Sequence, residues 1–245
     1  MRKMIAGIAL ATVLCLHVGI GYTDSAAAAE KTSADFSDLV DLDAATRAKF
    51  DEMIAAGVFE GVAEGEFGLK NEMSRAQFAK VAALIFNLDV DTSVTHSSFS
   101  DVRADDPANG YALPFIEAVK HAGITDGVAD GVYDPAGKVT KEQLAAFLVK
   151  GLGLKDEALS SKGVDDDTVS EWAKGYVEEA LKRGLVSGNA DGSFGGQTNA
   201  TREELVLSAA EAKTQYQQIE ENKMLEEQQK KEEEERNRLE EEEEE

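Results

Sequence analysis

The chain has 245 residues, with 48 Asp and Glu against 25 Lys and Arg, for a formal net charge of −23. That balance excludes nucleic acid as a partner class, because phosphate binding needs a basic footprint. A single cysteine, Cys15, leaves no disulfide framework, so stability has to come from packing.

The first 29 residues read as a secretory signal. Arg2 and Lys3 precede an apolar run from Ile5 to Ile20, and Ala26 to Ala29 offer small residues for cleavage. The run is too short to span a bilayer comfortably. Cys15 follows Leu14, where lipid attachment would want a small residue. Cleavage would leave a secreted chain with no thiol and no membrane-spanning run.

Three copies of one unit follow, at 34–91, 97–154 and 163–214. Their origins are Gly57, Gly123 and Gly184. Four residues on stand Gly61, Gly127 and Gly188, and eight on stand Gly65, Gly131 and Gly192. Ten on stand Phe67, Tyr133 and Phe194. Seventeen on come Ser74, Thr140 and Thr201, each followed by a cation: Arg75, Lys141 and Arg202. A repeat of this length cannot bury its own apolar face, so the three units must share one core.

Each unit opens on an acidic start: Asp38, Asp101 and Asp166. A first helix follows. Its stripe is Trp172, Tyr176, Val177, Ala180 and Leu181 in unit three, Tyr111, Phe115, Ile116 and Val119 in unit two, and Phe50, Met53 and Ile54 in unit one. The origin glycine ends it, because glycine takes a left-handed conformation at little cost. The glycine-punctuated loop predicts tight turns or a small hairpin, plugged by Phe67, Tyr133 or Phe194. A second helix then starts at Ser74, Thr140 or Thr201. Gln77, Gln143 or Glu204, three residues later, completes a capping box. The reading is a mainly all-α, three-part bundle with small loop insertions.

Residues 215–245 change character. From 219 on there are fourteen Glu against five Lys or Arg, and the apolar residues sustain no heptad. A solvated charged helix fading into a disordered acidic end is the expectation.

One detail breaks a local rule. Arg75, Lys141 and Arg202 sit in the first turn of capped helices, where the helix dipole disfavours a cation. Free N–H groups beside a cation would make an anion site. An ion pair with Asp38, Asp101 or Asp166 is the structural alternative.

The Phe-x-Asp start, the glycine-punctuated loop with its aromatic, and the Thr-Arg-Glu-Glu segment of unit three resemble the S-layer homology repeat in three tandem copies. The resemblance covers about 34–214. It implies a pseudo-threefold bundle that anchors a secreted protein to the bacterial cell wall or S-layer. Anchoring would come from secondary cell wall polysaccharide, often pyruvate-ketal-bearing, bound in grooves between repeats. By the same resemblance Arg75, Lys141 and Arg202 contact the acidic ketal. Asp38, Asp101 and Asp166 hold the groove or bind sugar hydroxyls. Trp172 stacks on a sugar ring, with Tyr111 as its weaker equivalent. Unit one has Ala45 at the Trp172 position, unit two has lysine at the arginine position, and unit three starts with Val164. The groove expected to be strongest combines Trp172 with Arg202.

Other readings fit less well. The only EF-hand-like spacing, at Asn189, Asp191 and Gly192, has Thr198 where calcium needs a glutamate, so no metal or cofactor is expected. His96 and His121 form no nucleophile–base arrangement, so the chain does not read as an enzyme. The rival function is a surface interaction protein whose acidic tail binds a protein partner or self-associates.

Overall fold

The structure, a computed structural model, describes residues 31–244, so the signal segment and Cys15 lie outside the described residues. Seven α-helices and no strand occur among the described residues: α1 Ala44–Ala55, α2 Arg75–Ile85, α3 Leu113–His121, α4 Lys141–Gly151, α5 Lys155–Ser160, α6 Lys174–Lys182 and α7 Arg202–Glu244. The mainly all-α expectation holds. None of these helices is long and apolar enough to cross a membrane.

The origin glycines do their predicted job. Gly57, Gly123 and Gly184 end α1, α3 and α6 with φ of +66°, +70° and +67°. Gly127, four residues past its origin, answers to a different constraint. A Cβ there would collide with the Val132 carbonyl and the Phe99 ring, so the glycine allows a close backbone approach. The loops are tight turns with isolated bridges, Ala63 to Glu66 and Ala129 to Val132, rather than hairpins of two strands. Phe67, Tyr133 and Phe194 are fully buried and plug each loop onto the core.

The units are exchanged around a ring. α1 packs on α7, α3 on α2, and α6 on α4, so each first helix lies against the second helix of the preceding unit. α2, α4 and α7 meet at the centre. Their capping boxes are formed: Ser74 Oγ accepts from Gln77 N (3.2 Å), Thr140 Oγ1 from Gln143 N (3.3 Å) and Thr201 Oγ1 from Glu204 N (3.3 Å). The first two N–H groups of each central helix cross to the next unit's loop. Arg75 N and Ala76 N donate to Gly137 O and Pro135 O. Lys141 N and Glu142 N donate to Thr198 O and Gly196 O. Arg202 N and Glu203 N close the ring on Asn71 O and Leu69 O.

At the C-terminus the charged-helix alternative holds. α7 runs unbroken from Arg202 to Glu244, with no joint at 215. Its core stripe continues from Leu205, Ala209 and Ala212 through Tyr216 to Ile219, which pack on the core. The Tyr216 ring meets Phe86 edge-on at 5.6 Å, and Gln215 Nε2 donates to Arg183 O at 2.9 Å. Beyond Ile219 the described side chains are largely exposed. Acid precedes base at four-residue steps in Glu226–Lys230, Glu227–Lys231, Glu232–Arg236 and Glu234–Arg238. That order supports a solvated helix. The disordered alternative overlooked these pairs and the absence of any helix breaker after Arg202.

Truncation after Glu221 should therefore leave the unfolding midpoint within about 2 °C of the full chain, since it removes surface residues only. Truncation after Thr214 removes Tyr216 and Ile219 and should cost roughly 2–5 kcal/mol. Urea unfolding of both variants checks this.

Candidate functional site

The helix tips are not the open anion sites the sequence suggested. Their first two N–H groups are already bonded to the neighbouring loop, and the third bonds the capping hydroxyl. Any anion recognition here falls to the cationic side chains.

Those side chains are buried: Arg75 is 2% exposed, Lys141 6% and Arg202 6%. Each faces the plug aromatic of the next unit. The Arg75 guanidinium lies 4.6 Å from the Tyr133 ring centroid, Lys141 Nζ 5.1 Å from Phe194 and the Arg202 guanidinium 4.8 Å from Phe67. Arg75 Nε donates to Tyr133 O at 2.8 Å, and Arg202 Nε to Phe67 O at 3.2 Å. Carbonyl dipoles and ring faces thus offset the unfavourable helix end. Burial pulls the Arg75 pKa down, against the opposing field of Tyr133, Asp134 and Asp101. Burial lowers Arg202 likewise, opposed by Asp38.

The three acidic residues serve their own unit. Asp38 accepts from the N–H groups of Phe67 (2.8 Å), Gly68 (2.8 Å) and Leu69 (3.1 Å). Asp101 accepts from Tyr133 N and Asp134 N, and Asp166 from Phe194 N and Thr168. They latch the plug loop to the start of its unit and make no ion pair with the three cations. Burial tends to raise the Asp38 pKa, but the three backbone donors prevail and hold it below its ordinary value. In Asp166 the Thr168 hydroxyl is the first cause of a similar lowering.

The clefts combine residues from all three units. One, of about 360 Å³, is lined by Arg75 of unit one, by Asp126, Gln143 and Lys150 of unit two, and by Trp172 of unit three. Trp172 therefore shares a cleft with Arg75 and not with Arg202, a correction to the expected pairing. The reason is the ring exchange: α6 and its preceding 3-10 turn pack on α4, beside the Arg75 side chain. Glu142 fixes that turn, accepting from Ser170 N at 2.9 Å and Ser170 Oγ at 2.8 Å, two residues before Trp172. The indole is 53% exposed. Arg75 Nη1 donates to Gln143 Oε1 at 3.3 Å, and its Nη2 is buried without a hydrogen-bond partner. Lys150 Nζ bonds Asp126 at 3.0 Å.

A second cleft, of about 380 Å³, holds Ala45, Lys49, Lys141, Asn189, Phe194 and Glu204. Lys141 Nζ donates to Asn189 Oδ1 at 3.0 Å and lies 3.4 Å from Glu204 Oε1. The third cation, Arg202, spends Nη2 on Glu60 O at 2.6 Å. Tyr111, 50% exposed, sits on the 3-10 turn against α2, as Trp172 does against α4. Sequence reading missed Gln143, Lys150, Asn189 and Glu204. Gln143 and Glu204 carried a signal, because capping-box residues at one helix tip face the preceding unit's cation.

Two outcomes follow. Because the Asp38 pKa is depressed in the fold, its contribution is present above the unfolded value near 4 and lost as pH falls through the folded value. Urea midpoints should fall below about pH 4, and Asp38→Asn should flatten that dependence while lowering stability at pH 7. Arg202→Ala removes two bonds from a buried site and should destabilise by roughly 2–4 kcal/mol, whereas Trp172→Ala should leave the midpoint unchanged.

Residues 98–145 and 165–206 match the S-layer homology domain, one segment in each of units two and three. The chain is 29% identical over 168 residues to the Surface-layer 125 kDa protein of Lysinibacillus sphaericus, covering 69% of this chain and 13% of that protein. It is 28% identical over 194 residues to S-layer protein sap of Bacillus anthracis, covering 78% of this chain and 22% of the relative. An endoglucanase of Bacillus sp. (strain KSM-635) is 29% identical over 152 residues, 60% of this chain and 15% of the enzyme. The chain thus spans a quarter or less of the length of these relatives. Two S-layer homology domains are recognised in the chain, in units two and three.

Proposed function

We propose that the chain is a secreted, non-enzymatic anchor that holds to the bacterial cell wall by binding an acidic, pyruvate-ketal-bearing secondary cell wall polysaccharide. The Arg75–Trp172 cleft is the principal site. The observation that carries this reading is Arg75, whose buried Nη2 has no hydrogen-bond partner, lining one cleft with an exposed indole. A ketal carboxylate would satisfy the guanidinium, a charge-assisted pairing stronger than a neutral hydrogen bond. The indole offers a flat apolar face to a sugar ring. Gln143 and Lys150 line the same cleft, the Lys150 ammonium paired with Asp126 at 3.0 Å.

The relatives support the coarser part. Two are named as surface-layer proteins, and this chain matches 15% of the length of an endoglucanase. A second reading rests on α7, whose outer residues stand clear of the core. That exposed acidic stretch suits a basic protein partner.

Sedimentation with purified cell walls tests both. Binding should survive truncation after Glu221 and vanish when the polysaccharide is stripped from the wall. Trp172→Ala should weaken binding about tenfold, or ~1.4 kcal/mol. Undiminished binding to stripped wall, or loss on truncation, would overturn the anchor reading in favour of the tail.

A further inference from the structure

We propose that Glu204 silences the Lys141 cleft toward anionic sugars, so that the chain carries one acidic-carbohydrate site, at Arg75 and Trp172. This rests on the wall-polysaccharide reading and adds which cleft works and what disables another.

The ring exchange puts two of the three cations beside the capping-box residue of the next unit. Arg75 Nη1 meets Gln143 Oε1 at 3.3 Å, and Lys141 Nζ meets Glu204 Oε1 at 3.4 Å. Gln143 and Glu204 hold equivalent positions, each three residues after its capping residue. The geometry is shared and the charge differs. Beside a neutral glutamine, Arg75 keeps its full charge and an unpaired Nη2. Beside a glutamate, Lys141 is matched by a carboxylate of opposite charge; its side chain is 7% exposed and that of Glu204 40%. Its Nζ is further occupied by Asn189 Oδ1.

The other cation of that cleft is also matched, since Lys49 Nζ lies 3.5 Å from Glu211 Oε2. An incoming carboxylate would approach Glu204 with nothing left uncompensated to attract it, a like-charge contact in a partly buried site. The cleft keeps its volume and its apolar walls, Leu144, Leu185, Val186 and Phe194. What it lacks is a net attraction for an acid. The Arg202 guanidinium gives Nε and Nη2 to the carbonyls of Phe67 and Glu60, and no tryptophan stands in unit one at the position of Trp172, where the sequence has Ala45.

The substitutions that exchange the two clefts are mild. Glu204→Gln installs the residue already capping α2 and α4, and Gln143→Glu installs the one already capping α7, so both variants keep their capping boxes. The probe is a methyl glycoside bearing a pyruvate ketal, with its methyl ester as the neutral control. Trp172 is the only tryptophan in the chain, so its fluorescence reports the Arg75 cleft alone, while calorimetry counts all sites. The unmodified protein should bind one ketal, seen equally by both methods. Glu204→Gln should raise the calorimetric count to two and leave the Trp172 titration unchanged. Gln143→Glu should weaken the Trp172-reported site at least about tenfold, with thermal unfolding confirming an intact fold. Two or more sites in the unmodified protein, an unchanged count in Glu204→Gln, or an unaffected Gln143→Glu would overturn the inference while leaving the anchor reading standing. No ketal binding by any of the three proteins, or equal binding of the methyl ester, would overturn both.

Discussion

Six backbone hydrogen bonds decide the architecture. Each central helix gives its first two N–H groups to the loop carbonyls of the next unit, and the third helix returns to the first unit's loop. Helix starts normally leave such donors to water or a cap. Here a neighbouring chain segment takes them, in a closed ring. At roughly 0.5–1.5 kcal/mol net per bond the ring contributes about 3–9 kcal/mol, comparable to a typical domain's whole stability of about 5–15 kcal/mol. No unit can form these bonds alone, which makes the three-unit body the folding unit.

The same ring explains the misplaced cations. A guanidinium or ammonium in the first helical turn opposes the dipole, yet Arg75, Lys141 and Arg202 sit above an aromatic ring of the next unit, and the arginines reach its carbonyls. The favourable surroundings come from the neighbour, not from the helix that carries the charge. Each cation is therefore partly a joint between units. What the joint consumes differs: Arg202 gives Nε and Nη2 to carbonyls, Lys141 is matched by a carboxylate, and Arg75 gives Nε to a carbonyl and Nη1 to Gln143 while its buried Nη2 has no partner.

The acidic residues divide the labour differently. Asp38, Asp101 and Asp166 spend their oxygens on backbone N–H groups of their own loops. They set the position of the plug aromatic, and the plug in turn sets the surface over which the cation lies. In a chain with net charge −23, these three carboxylates are thereby tied to backbone, and many others are displayed on the outer half of α7.

Local chemistry was legible in the sequence because it depends on neighbours in the chain. The glycines at Gly57, Gly123 and Gly184, the capping boxes at Ser74, Thr140 and Thr201, and the buried plugs Phe67, Tyr133 and Phe194 are all determined within one unit. What crosses between units was not legible. That Trp172 meets Arg75, that Glu204 meets Lys141, and that the helix-tip amides are already taken follow from how the units rotate about the shared axis, and no spacing within a unit encodes that rotation. The continuous α7 lies between the two cases: its Glu-to-Lys and Glu-to-Arg pairs are written in the sequence, but the seating of Tyr216 and Ile219 against the core depends on where α2 and its neighbours stand.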